Sequence, residues 1–231
     1  MNSKPHLLST FEIALNKVQS DLREMAALTE ASFHHAQAGL LESDIERTNS
    51  AIVDDDEIDQ LEVAVGRDGT DVLMRFQPVA GDLRQVVAAM RLCSDVERVA
   101  DQAVKIARKT RKMNLAHVVP YREKLLEMFN EASSLFKDSL KAYEQNDLEL
   151  AHSIAPRDKH LDDLNAEITE LATQQIATSP DDVADHLAII LIARHIERVG
   201  DHAKNIAENA VYAASDQDIR HSHGAKGDAA Q

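Results

Sequence analysis

The chain has 231 residues and a formal net charge of −15 at pH 7, with 40 acidic side chains against 25 Lys and Arg. That balance repels phosphate backbones and argues against direct nucleic-acid binding, leaving metal cations and basic protein surfaces as better-matched partners. Seven Gly, five Pro and no Trp among many Ala, Leu, Glu, Asp, Gln and Lys make a chain of good helix formers, which predicts an all-α fold.

In chain order, Leu8, Phe11, Leu15, Val18, Leu22, Met25, Leu28 and Phe33 recur mostly at three and four residues, the signature of one buried stripe on a helix near 8–42. A second helix starts at Ser43 or Asp44 and continues toward Phe76, with Gly66 and Gly69 weakening it midway. Pro78 pushes Gln77 out of helical geometry, so QPVAGD marks a boundary before a third helix at about 80–114. Pro120 separates this half from a second with the same plan: helices near 120–145 and 147–177, and a sixth opened by Ser179, Pro180, Asp181 and Asp182. The expected organisation is two three-helix units, 1–117 and 118–214, with a polar, flexible tail at 215–231.

LAIILIA at 187–193 is the longest strongly apolar stretch, far short of the ~20 residues a membrane span needs. The beginning of the chain lacks the basic and apolar regions of a secretory signal, and a lone Cys93 forms no internal disulfide. A cytoplasmic location without membrane insertion is the resulting expectation.

The two halves are related by duplication. ERVADQAVKIA at 97–107 returns as ERVGDHAKNIA at 197–207, with Glu, Arg, Val, Asp, Ala, Ile and Ala in register. Each copy carries two carboxylates one helical turn apart, Glu97 with Asp101 and Glu197 with Asp201. The repeat extends backwards, where DDEIDQLE at 55–62 can be set against DKHLDDLN at 158–165, matching Asp55 to Asp158 and Asp59 to Asp162. If the second and third helices lie antiparallel, Asp55, Asp59, Glu97 and Asp101 face one another, and Asp158, Asp162, Glu197 and Asp201 repeat the arrangement. Either Asp54 or Asp56 competes with Asp55 for its place.

Four carboxylates at ~5–6 Å repel by about 3 kcal/mol per pair at an effective dielectric of ~20, so something must offset the charge. Basic neighbours are one answer, Lys105, Arg98, Arg198 and Lys159 being close in sequence. Bound metal is the other, and all-oxygen ligands favour hard cations such as magnesium, manganese, calcium or iron. A solvated acidic flank is the plain alternative in a chain so rich in acids. His195 and His202 align with Asp95 and Gln102, an asymmetry that predicts surface histidines rather than ligands. Cys93 aligns with Ala193 and is expected to be a small buried residue, while His221 and His223 fall in the tail.

FQPVAGDLR before the third helix, ERVADQAVKIAR, and IARHIERVGDHAKNIAE together resemble the PhoU family of bacterial phosphate-signalling regulators, over nearly the whole chain. The resemblance implies tandem three-helix bundles whose E(D)xxxD motifs hold metal ions, singly or as multinuclear clusters of iron, manganese, magnesium or zinc. The matching positions are the eight carboxylates already named. It further implies a non-enzymatic adaptor that restrains the phosphate-starvation response and phosphate uptake. Its partners would be the ATPase subunit of the phosphate ABC transporter and a sensor histidine kinase, with homodimerisation and peripheral placement at the inner membrane face. Two rival readings are a metal-free helical scaffold and a di-iron carboxylate oxidase, for which Glu149 and His152 supply a single Glu-x-x-His spacing where two are needed.

Overall fold

Asp44 and Asp147 open equivalent helices in the two halves by the same local chemistry. Each lies in extended backbone and accepts a hydrogen bond through its carboxylate, from Arg47 N and Leu150 N respectively, both at 3.0 Å. The residue before each cap, Ser43 or Asn146, is left-handed (φ 61° and 52°), turning the chain back on itself. SDIE and NDLE are therefore matched turn-and-cap signals that extend the duplication beyond the acidic segments.

The computed structural model describes residues 4–215; the expected tail at 215–231, with His221 and His223, lies outside them apart from Ser215. The helices are α1 (Lys4–Leu41), α2 (Ile45–Val53), α3 (Asp55–Phe76), α4 (Ala80–Thr110), α5 (Arg122–Gln145), α6 (Leu148–Thr178) and α7 (Val183–Ser215). Among the described residues there is no strand. The connection between halves is a 3₁₀ segment, Leu115–Tyr121, that contains Pro120, and a shorter 3₁₀ turn, Pro180–Asp182, precedes α7. Taking α2 and α3 as one kinked rod gives six long helices, as the sequence pattern predicts.

The kink falls at Asp54 rather than at the glycines. Asp54 keeps helical backbone and donates its N–H to Ser50 O, while its carboxylate meets His35 Nδ1 at 3.2 Å; three consecutive acids then form or precede the first turn of α3, where the helix dipole favours them. Gly69 is buried for a different reason. A Cβ there would sit 2.8 Å from Cγ and Sδ of Met90, so the residue permits close approach of α3 to α4.

In each half three rods pack around an apolar centre, α1, α2–α3 and α4 in the first and α5, α6 and α7 in the second. The stripe on α1 is buried through Leu15, Val18, Leu22, Met25 and Phe33. The halves share one continuous core: Phe33 of α1 meets Phe129 of α5 with ring centroids 5.2 Å apart, and α4 packs along α7. At the linker the buried Tyr121 donates its hydroxyl to His186 Nδ1 at 2.9 Å, and His117 donates from Nδ1 to Asp185 at 2.7 Å. No helix among the described residues is long and apolar enough to cross a membrane.

Candidate functional site

α4 and α7 carry the duplicated segments and form the seam between the halves. His195 donates from Nδ1 to Gln102 Oε1 at 2.9 Å, and His202 from Nδ1 to Asp95 Oδ1 at 3.2 Å. Positions 95 and 195 are equivalent, as are 102 and 202, so these are two copies of one contact related by the pseudo-twofold. The expectation of surface histidines therefore fails: both are half-buried seam residues, each bonded to the counterpart of the other. Placed in the sequence repeat, the non-identical pairs Asp95/His195 and Gln102/His202 are complementary donors and acceptors across an axis.

Flanking the seam, helical periodicity aims each acidic pair sideways onto the neighbouring helix, α3 for α4 and α6 for α7. In the first half, burial pushes the Asp55 carboxyl up from its ordinary range, and the fields of Asp59 and Asp101 push it further while Arg108 opposes them. Glu97 is likewise raised, by burial first and then by Asp101, Glu62 and Asp59. The four predicted acids of this half are thus electrostatic neighbours across α3 and α4. Asp55 is half-buried beside these acids, whereas Asp56 is exposed and Asp54 is turned to His35.

The second half repeats the arrangement with deeper burial. Burial holds the Asp158 carboxyl up at about 6; Asp201 adds to the rise, Lys204 opposes it, and Asp162 and Glu197 add again. Asp158 is only 6% exposed and its Oδ1 has no hydrogen-bond partner, while Oδ2 lies 3.8 Å from Lys204 Nζ. Glu197 is raised by burial, Asp201 and Asp162, against Arg194 and Arg198. Close approach is secured by Gly200, where an added Cβ would come within 2.5 Å of both Asp158 Oδ1 and Leu161 Cδ1.

Basic neighbours answer only part of the charge. Lys105 binds Asp101 at 2.8 Å and Arg98 and Arg108 act without direct contact, so among the described residues Asp55, Asp59 and Glu97 have no ion pair. The carboxylates face one another without closing: among the described residues, no three His, Cys, Asp or Glu side chains form a ready-made ion cage. An unsatisfied, buried carboxylate oxygen beside three further acids is an all-oxygen donor set of the kind that suits a hard cation.

The sequence reading missed two polar residues of this site. Glu62 is raised by burial and by Asp59, with Arg98 opposing, and it acts in turn on Glu97. Its equivalent is Asn165, whose Oδ1 is buried without a partner. The signal lay in the last position of the aligned octets, Glu62 against Asn165, both oxygen donors. By contrast Glu149 and His152 are exposed near the start of α6. Cys93 is buried, with Sγ 3.5 Å from Met25 Sδ, and burial pushes its thiol up to about 12. Native protein is therefore expected to resist thiol reagents at pH 8, reacting fully only in denaturant; rapid native labelling would contradict this placement.

A PhoU domain model matches residues 22–110 and 125–210, one match on each half. Relatives named phosphate-specific transport system accessory protein PhoU homolog include one from Pseudomonas putida, 31% identical over 219 residues, covering 94% of this chain and 85% of the relative. One from Pseudomonas aeruginosa is also 31% identical, covering 94% and 90%. The crystal structure of PhoU from Pseudomonas aeruginosa superposes with a TM-score of 0.82 at 27% identity, covering 90% of this chain and all of that one. PhoU from Streptococcus pneumoniae, at 24% identity and a TM-score of 0.83, shares the fold. With both repeats matched by the domain model and the fold shared along nearly its whole length, the chain belongs to the PhoU family.

Proposed function

We propose that this protein is a regulator associated with phosphate transport, and specifically a negative regulator of the phosphate-starvation response and of phosphate uptake. The match of the PhoU domain to both repeats carries the reading. It acts without catalysis, as an adaptor between the ATPase subunit of the phosphate ABC transporter and a sensor histidine kinase. It works in the cytoplasm as a homodimer held at the inner membrane face by those partners. The decisive experiment is a deletion strain grown at high phosphate. Constitutive alkaline phosphatase expression, reversed by this gene, is the expected result; normal repression in the deletion would overturn the reading.

The residues that would hold metal are Asp55, Asp59, Glu97 and Asp101 in the first half and Asp158, Asp162, Glu197 and Asp201 in the second. The unpartnered Oδ1 of Asp158 among its acidic neighbours supports this assignment. Bound at either quartet, a divalent or trivalent cation, single or in a cluster, supplies the positive charge that the carboxylates lack. The chain itself contributes the rigid positioning: α4 and α7 fix one pair of each quartet along the seam, and α3 and α6 bring the other pair up to it. With their charge satisfied, the acidic flanks present a fixed surface to basic patches on the partners. Removing Glu197 and Asp201 as Glu197→Gln with Asp201→Asn is expected to lower the metal content of protein purified without chelator by about half, since only the second quartet is lost. Unchanged metal content would sink the assignment.

A further inference from the structure

Where the duplicated segments end, the two copies diverge in charge. The first continues as RKTRK at 108–112, the second as ENAVY at 208–212. Contacts from Asp95 to His202, from Gln102 to His195 and from His117 to Asp185 show that α4 and the linker beyond it run antiparallel to α7. In that register Lys109 and Lys112 flank the stretch of α7 between Asp185 and His195. This stretch exposes two leucines one turn apart, Leu187 (47%) and Leu191 (43%), and the same exposed stripe continues into Arg194 and Arg198. Lys109, Lys105 and Arg198 all press on His195, which burial foremost holds down at about 4. Lys109, Lys112 and Arg194 form no ion pair among the described residues. Of the nearby acids, Asp185 is turned to His117 and Asp101 to Lys105, while Glu197 lies in the field of Arg194 and Arg198.

We infer that Lys109 of α4 and Lys112 in the turn just beyond it, with Leu187, Leu191 and Arg194 of α7, form a docking surface for an acidic amphipathic helix of a partner protein. The leucine spacing matches the i, i+4 stripe of such a helix, and the flanking cations match its acids. Scale selects a helix over an extended anionic surface. A helix about 10–12 Å across covers little beyond the basic strip, whereas a bilayer or a nucleic acid would also lie across the acidic pairs Glu97/Asp101 and Glu197/Asp201 on the same two helices. For a chain of net charge −15 that wider contact is repulsive. The surface uses none of the eight quartet carboxylates.

The test uses the full chain and a fluorescein-labelled synthetic peptide of about five turns, with leucines on one face and Asp and Glu on the other. A scrambled peptide of the same composition and sedimentation with phosphatidylserine vesicles are run in parallel. Anisotropy is expected to show binding of the amphipathic peptide alone, weakened about tenfold by Lys109→Glu with Lys112→Glu and about fivefold by Leu187→Gln with Leu191→Gln, with unchanged thermal melts. Raising salt from about 50 to about 300 mM should weaken it as well. Equal binding of the scrambled peptide, no effect of either double substitution, no peptide binding at all, or capture by vesicles in its place would each overturn the proposal.

Discussion

Asp158→Asn is expected to stabilise the metal-free protein at pH 7.5 while destroying metal binding in the second half. The native carboxyl is held up at about 6 against an ordinary 3.8, so folding favours its neutral form. Because the folded-state value is the higher one, the contribution is fully present below about pH 4 and is lost as pH rises through about 6. At pH 7.5 the fold therefore carries a charge that burial and Asp201 both oppose. Asparagine keeps the shape and removes the charge. Each pKa unit corresponds to about 1.4 kcal/mol, the value of about 6 already includes the opposing pull of Lys204, and burying the amide takes back part of the gain, leaving about 2 kcal/mol. Urea denaturation in chelator should show that gain at pH 7.5 and its disappearance near pH 4. With metal present the order should reverse, since wild type gains the binding free energy of two quartets and the variant of one. A variant no more stable than wild type in chelator would mean that Asp158 is better satisfied than its orphaned oxygen indicates.

The opposed signs matter because they separate a ligand from a structural acid. An aspartate kept for the fold would cost stability when removed, with or without metal. One whose burial is a liability without metal, and an asset with it, behaves as the proposed ligand should. The same logic runs through the first half in weaker form, where Asp55 and Glu97 are less buried and Lys105 already binds Asp101. The second quartet is thus expected to bind more tightly and to show the larger coupling between metal and stability.

Helix periodicity made most of this legible in the sequence, because long amphipathic stretches with few glycines leave little freedom in where helices run. The acidic pairs were readable for the same reason: a duplicated i, i+4 spacing states both the face and the neighbour. Other features depended on tertiary contact. The break at Asp54 coincides with a carboxylate held by His35, nineteen positions earlier on α1, a contact that no local pattern shows. Gly69 reads as a weak point in a string of residues and is a packing contact in the bundle. The seam histidines were misread because each was compared with its own counterpart, whereas a twofold pairs each residue with the counterpart of its partner. Glu62 and Asn165 were passed over because they differ, although both offer oxygen to the same place.

Gly200→Ala, set beside Ala100→Gly, should show how far the two quartets have diverged within one duplication. These positions are equivalent, and both are buried in the seam helices. Alanine in place of glycine gains about 1 kcal/mol of helix propensity. At position 200 the new methyl would sit 2.5 Å from Asp158 Oδ1 and from Leu161 Cδ1, and Leu161 is fully buried. Overpacking of this kind costs about 1–3 kcal/mol, so against the propensity gain the net change is between about zero and a loss of about 2 kcal/mol. The effect on metal should be larger than the effect on stability, because the side chain displaced most directly is Asp158 itself. Displacing or reorienting a ligand in this way typically lowers affinity by about 10- to 100-fold. Ala100→Gly should instead cost about 1 kcal/mol of stability and leave first-half metal affinity within about twofold, since nothing new enters the space. Titration of stripped protein with manganese, read by calorimetry, distinguishes the two halves. Equal effects of both substitutions on affinity would show that Gly200 plays no part in holding Asp158 against α7.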